Sequence, residues 1–230
     1  MRYHKRTDKF FSKKERERIK EVTANVEMET IGEIAVVVVD NSSFYREAEI
    51  LGAVLAGSFV SLIVTEILFH TSEKIAEFFF YSTMWFFIPL AIIIFFPMKI
   101  LFKKNPSFKI VFVSKKRKEK SVQKRALQAF YENGLYKTKH NTGVLFFISL
   151  IERKVWVLAD KGINEKVEQK TLNRLANIVS KGIKDGCACD ALCEAIVETG
   201  KMLSEHFPSV PEDINELPNG IIFDSGKSTG

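Results

Sequence analysis

Cysteine is scarce in this sequence: 230 residues hold only Cys187, Cys189 and Cys193, all within one short stretch. Three clustered thiols do not make a disulfide framework, and so few fit a reducing compartment. The spacing C-x-C-x-x-x-C suits a soft metal, with His206 as a distant fourth ligand, but it suits the packed face of a helix better. A secretory leader pattern is missing as well. Met1 to Lys20 is basic and has no apolar stretch followed by a small-residue cleavage site. The four histidines, His4, His70, His140 and His206, have no serine or cysteine partner in a triad-like setting and are expected at the surface. Gly226-Lys227-Ser228-Thr229 looks like the end of a phosphate loop, yet Gly220 stands one residue too far upstream for G-x-x-x-x-G-K. Motifs for nucleic-acid recognition are also lacking. The net charge of +6 therefore points to anionic headgroups before nucleic acid, which is not an expected partner.

What the chain does have is two long apolar runs. Its mean hydropathy of +0.00 averages two populations. Leu51 to Phe69 and Phe78 to Phe102 are almost wholly apolar, and the flanks are rich in Lys, Arg and Glu. A spanning helix needs about 20 apolar residues to cross roughly 30 Å of hydrocarbon, and both runs qualify. The linker from His70 to Glu77 is short and polar, so the two helices are expected to lie antiparallel as a transmembrane hairpin. Ten Lys and Arg precede the first run, from Arg2 to Arg46, and eight stand at or beyond the end of the second, from Lys99 to Lys118. The linker has only Lys74, beside Glu73 and Glu77. The positive-inside rule then predicts a multi-pass protein of the inner (cytoplasmic) membrane with both termini cytoplasmic. Glu66 is the one acid within a run. It lies near the outer end, where it can reach the interface, and proton relay or transport is the lesser reading. Pro89 and Pro97 are positioned to kink the second helix.

The flanks read as a soluble domain. Ser12 and Glu15 form an S-x-x-E capping pattern before Ile19, Val22 and Val26 at helical spacing. Ile34 to Val39 is β-branched without alternation, as in a strand buried on both faces. Beyond the apolar runs, Val122, Ala126 and Phe130 give a helical face that stops at Asn133-Gly134. Val144 to Leu150 and Lys154 to Asp160 form a hairpin of strands. Asn164 is expected to cap a helix that ends at Gly186, and Asp190 to cap a last helix ended by Pro208 and Pro211. Ile221 to Phe223 is apolar enough to dock. No stretch alone buries a core, so the first strand must join the later two. The expected organisation is residues 1–47 as the first part of an α/β domain, 48–104 as the hairpin, 105–210 as the second part, and 211–230 as a tail.

Several motifs in this order are similar to those of the TPM domain family, in the branch of bacterial membrane proteins. They are Glu29-Thr30-Ile31-Gly32-Glu33-Ile34, Arg125-Ala126 with Phe130, Gly134-Leu135 and Thr138, Thr142-Gly143-Val144-Leu145 with Ser149-Leu150, Glu152-Arg153 with Ala159-Asp160-Lys161-Gly162-Ile163, and His206-Phe207-Pro208 with Asp213, Asn215-Glu216-Leu217-Pro218. The resemblance implies an α/β/α sandwich, here interrupted by the hairpin. It also implies two chemistries: acid phosphatase activity, ascribed to some plant members, and a calcium site, ascribed to others.

Glu29, Glu33, Asp160 and Asp213 are the candidate acids for such chemistry. Glu33 enters the first strand and Asp160 leaves the third. If those strands or their ends meet, the two carboxylates can share a divalent cation such as calcium, a hard ion that takes oxygen ligands. Against this, Asp160-Lys161-Gly162 reads as a turn in which Asp bonds its own backbone. A phosphatase would further need a cationic clamp and a nucleophile, for which Thr30, Thr142 and Arg153 are the nearby residues. The expectation is a membrane protein whose TPM-like domain binds or organises other membrane proteins, with a metal-assisted phosphatase-like hydrolase as the alternative.

Overall fold

The segment Glu33–Val39, β1, is buried along its whole length and lies inside a sheet of order β3-β2-β1-β4. Strand β2, Gly143–Ser149, runs parallel to it, from Glu33 opposite Gly143 to Val39 opposite Ser149. Strand β3, Lys154–Ala159, pairs antiparallel with β2 and forms one edge. Strand β4, Ile221–Asp224, pairs parallel with β1 and forms the other. The apolar tail segment thus docks as a fourth strand. The computed structural model describes residues 6–71, 83–209, 216–217 and 220–224.

Among the described residues the helices follow in chain order. They are α1 (Arg6–Phe10), α2 (Lys13–Glu27), α3 (Arg46–Thr71), α4 (Thr83–Lys104), the short α5 (Pro106–Lys109), α6 (Lys115–Glu132), the single turn α7 (Lys161–Asn164), α8 (Gln169–Asp185) and α9 (Ala188–His206). The chain divides into two compact units, residues 1–43 with 118–230, and residues 44–117.

In the first unit, helices cover both faces of the sheet. Ile34, Val36 and Val38 with Val144, Phe146 and Ile148 face Ile19 of α2, Leu175 of α8, and Leu192 and Ile196 of α9. Ala35, Val37 and Val39 with Leu145 and Phe147 face Val122, Ala126 and Phe130 of α6. This double cover explains why β1 shows no polar alternation: either face would lose apolar burial worth about 25 cal/mol per Å². The capping box at the start of α2 is formed, with the Ser12 amide donating to Glu15 at 2.7 Å and the Glu15 amide to Ser12 at 3.3 Å. Helix α6 stops where Gly134 takes φ 75°, and α8 where Gly186 takes φ 79°, a conformation that suits glycine.

Two expected caps differ. Asn164 does not start the long helix. Asp160 caps the single turn α7 instead, and Asn164 donates to the Ala159 carbonyl at 2.7 Å. The turn propensity of Asp160-Lys161-Gly162 wins locally, and α8 begins only at Gln169. Nor does Asp190 cap α9. That helix begins at Ala188 after Cys187, and Asp190 pairs with Arg18 at 2.5 Å on the surface. Cys187 is exposed, and Cys189 and Cys193 are buried. Burial raises both buried thiols, Cys193 to about 11, so they pack as small apolar groups and not as thiolates.

In the second unit, α3 and α4 pack antiparallel. Gly52 lies against Phe102, Gly57 against the backbone of Phe95, and the Ser61 hydroxyl donates to the Phe87 carbonyl at 3.4 Å. Small residues line this contact, whereas Leu55, Phe59 and Leu62 of α3 and Ile92, Ile93 and Phe96 of α4 point outward. Glu66 is also exposed. Among the described residues one helical stretch, Arg46–Ile67, is long and apolar enough to cross a membrane by length and composition. The second apolar run begins at Phe78, outside the described residues, as does most of the linker. From Thr83 it is helical, with Pro89 and Pro97 inside. A partly buried ion pair, Lys109 to Glu49 at 2.7 Å, ties the chain after α4 back to the start of α3.

Candidate functional site

The sheet has two ends with different chemistry. At the end where β1 and β2 begin, the residues picked out by sequence motifs meet. The Thr30 hydroxyl donates to the Phe207 carbonyl at 2.6 Å and accepts from the Gly32 amide at 3.1 Å. The Thr142 hydroxyl donates to the Ile31 carbonyl at 3.0 Å, and its amide to the Thr138 hydroxyl at 3.1 Å. Thr30 and Pro208 form a β-bridge. These polar atoms join three separated stretches of chain. Thr30 and Thr142 are 1% exposed, so neither hydroxyl is available as a nucleophile.

Glu33 and Asp160 lie at this same end, but their strands are not neighbours. Strand β2 runs between them: Glu33 is opposite Gly143, and the Asp160 amide donates to the Gly143 carbonyl at 2.9 Å. Two strand spacings put their Cα atoms about 10 Å apart. One oxygen of each is taken by a different backbone amide, Glu216 on Glu33 at 2.8 Å and Lys161 on Asp160 at 2.7 Å. Calcium takes about six to eight oxygens. The described residues bring no three His, Cys, Asp or Glu side chains to metal-binding distance, and these donors do not compose a calcium set. Glu29 is exposed at the surface. Asp213, Asn215 and Pro218 lie outside the described residues, as does Gly226 to Thr229.

The carboxylate beside Glu33 is one that motif reading passed over. Glu27, the last residue of α2, accepts the Ile34 amide at 2.8 Å. Burial raises its pKa from the ordinary 4.5 to about 8, against that hydrogen bond, and the nearby Glu33 adds to the rise. The available signal was three glutamates, Glu27, Glu29 and Glu33, crowded around a helix-to-strand turn.

Arg153 is at the opposite end, where β1 and β2 finish and β3 begins. Open α/β sheets place ligands beyond the carboxyl ends of their parallel strands. Glu152 is 6% exposed there. It accepts the Ser42 amide at 2.9 Å and the Ser149 hydroxyl at 2.5 Å, so it fastens the loop after β1 to the β2–β3 turn. The turn ends on Arg153 in the left-handed region, φ 52°. Arg153, Lys154 and Lys184 rim a cavity of about 590 Å³ floored by Phe10, Leu150, Val155 and Ile183. An adjoining groove of about 600 Å³ runs on along β3 past Trp156, Val157, Asn173 and Asn177. The expected clamp residue thus sits a full strand length from Glu33 and Asp160, about 20 Å. The structure does not bring the phosphatase candidates together.

Residues 101–201 match the model of the TPM domain. That stretch is similar to the TPM domain. The matched stretch holds α6, β2, β3, α8 and most of α9, but not β1. The central strand of the sheet therefore comes from residues 1–43, outside the matched stretch and before the apolar runs in sequence. Among solved structures, the NMR structure of the BA42 protein of the psychrophilic bacterium Bizionia argentinensis superposes with a TM-score of 0.56. It is 19% identical, over 94% of this chain and 96% of that one, a likeness of fold alone. No protein of curated function matches.

Proposed function

We propose that this protein is a TPM domain anchored in the inner (cytoplasmic) membrane by the α3–α4 pair, with both termini cytoplasmic, and that it binds or organises partner proteins there. The observation that carries the reading is the inverted character of the helix pair. Its contact is built from Gly52, Gly57 and Ser61, while large apolar side chains such as Phe59, 65% exposed, and Ile93, 67% exposed, face outward. Water penalises that arrangement and hydrocarbon favours it. The basic flanks from Arg2 to Arg46 and from Lys99 to Lys118 support the orientation and contact with anionic headgroups. The separation of Glu33 and Asp160 from Arg153 favours a binding role over metal-assisted phosphoester hydrolysis.

Thiol labelling tests the topology. Cys187 is exposed, so a membrane-impermeant maleimide should miss it in intact cells and reach it after permeabilisation. A His70→Cys variant should label in intact cells. The reverse pattern, or release of the protein by alkaline carbonate, overturns the reading.

A further inference from the structure

We propose that the open edge of β3, together with one stripe of α8, is a docking groove for an extended acidic segment of a partner protein, which joins the sheet as an added strand. The proposal rests on the partner-binding reading and gives it a location and a chemistry.

The backbone phase of β3 is fixed by its pairing. The Asp160 amide bonds the Gly143 carbonyl, so Leu158, Trp156 and Lys154 also turn their amides and carbonyls toward β2. Val155, Val157 and Ala159 then turn theirs to the open side. Asn164 confirms the phase, because its side chain donates to the Ala159 carbonyl from that side. Strand β3 ends the sheet, and among the described residues the outward groups of Val155 and Val157 have no strand beside them. Bare strand edges attract extended segments, and among the described residues this one is closed at its ends, by the Lys154–Glu119 pair at 2.9 Å and by Asn164.

The walls suit a peptide. Asn173, Asn177, Ser180 and Lys184 recur at helical spacing along α8 and line the same groove as Arg153 to Val157. They offer amide, hydroxyl and ammonium partners to one face of an added strand, and half-buried Trp156 offers an apolar surface to the other. Charge sets the class of partner. Among the described residues Glu119 is the one acid lining the groove, and it already pairs with Lys154. Among the described residues Arg153 and Lys184 form no ion pair, which leaves two cations for acidic side chains. A run of lining residues along a strand fits an extended chain better than a compact anion.

The test uses the full chain in lipid nanodiscs and a fluorescein-labelled heptapeptide alternating valine with glutamate, read by fluorescence anisotropy. The acidic peptide should bind saturably, and its lysine counterpart roughly tenfold or more weakly. N-methylation of the peptide's pairing amides, which leaves the protein untouched, should abolish binding. The variant Arg153→Glu with Lys184→Glu should reverse the charge preference. Equal binding of methylated and unmethylated peptides overturns strand addition. If inorganic triphosphate also displaces them, the groove is a small-anion site and the proposal is wrong. No binding of the acidic peptide overturns it as well. Because the labelling experiment reads topology alone, failure of the groove and failure of the anchorage are separable.

Discussion

Raising the pH from about 5 to about 8.5 should weaken the fold through one side chain, Glu27. Its pKa is about 8 in the folded state against an ordinary 4.5, so the native state holds this proton more tightly than the unfolded chain. Across that window the folded protein carries more protons, and the unfolding free energy falls as pH rises. The contribution is fully present below 4.5 and lost above about 8. At about 1.4 kcal/mol per pH unit the ceiling is about 5 kcal/mol. Glu27 is only partly buried, and solvent screening lowers this to about 2 to 3 kcal/mol. Glu27→Gln keeps an oxygen for the Ile34 amide, 2.8 Å away, and removes the titration. Thermal unfolding should show wild type and variant alike near pH 5 and the variant more stable near pH 8.5. Other titrating groups cancel in the difference between the two curves. A difference that stays constant across the window refutes the reasoning.

Further outcomes follow from close contacts and buried partners. Gly143→Ala places a methyl 2.8 Å from the Leu135 carbonyl oxygen, a backbone atom, and should cost about 2 to 4 kcal/mol in chemical denaturation. Glu152→Ala leaves the Ser42 amide and the Ser149 hydroxyl without their acceptor and should cost about 3 kcal/mol. Arg153→Gly removes a left-handed non-glycine residue, φ 52°. It should raise stability by up to about 1 kcal/mol while weakening the acidic peptide, which separates a strained binding residue from a structural one.

Local patterns carried most of the elements. The S-x-x-E cap, the unbroken Ile34 to Val39 run and the stop at Asn133-Gly134 all act over a few residues, where backbone sterics and short hydrogen bonds decide. Asn164 is drawn into the short turn capped by Asp160, and Asp190 falls inside a helix that already begins at Ala188, and neither outcome alters the hydrophobic period. The motif threonines were visible as motifs, yet their function as ties between distant stretches was not, since their acceptors lie on segments far along the chain. Glu33 and Asp160 looked like a pair because each stands at a strand end. Which strand lies between them depends on sheet order, which no local pattern encodes.

The sequence alone determined that two long apolar runs divide an α/β domain, because the apolar character of a segment depends on its composition and length. Tertiary structure decided that the strand before those runs becomes the centre of the sheet, that the two acids are held apart by β2, and that β3 keeps an open edge beside two cations. Those outcomes depend on pairing partners distant in sequence, where many arrangements bury similar apolar area and only the packed whole selects among them.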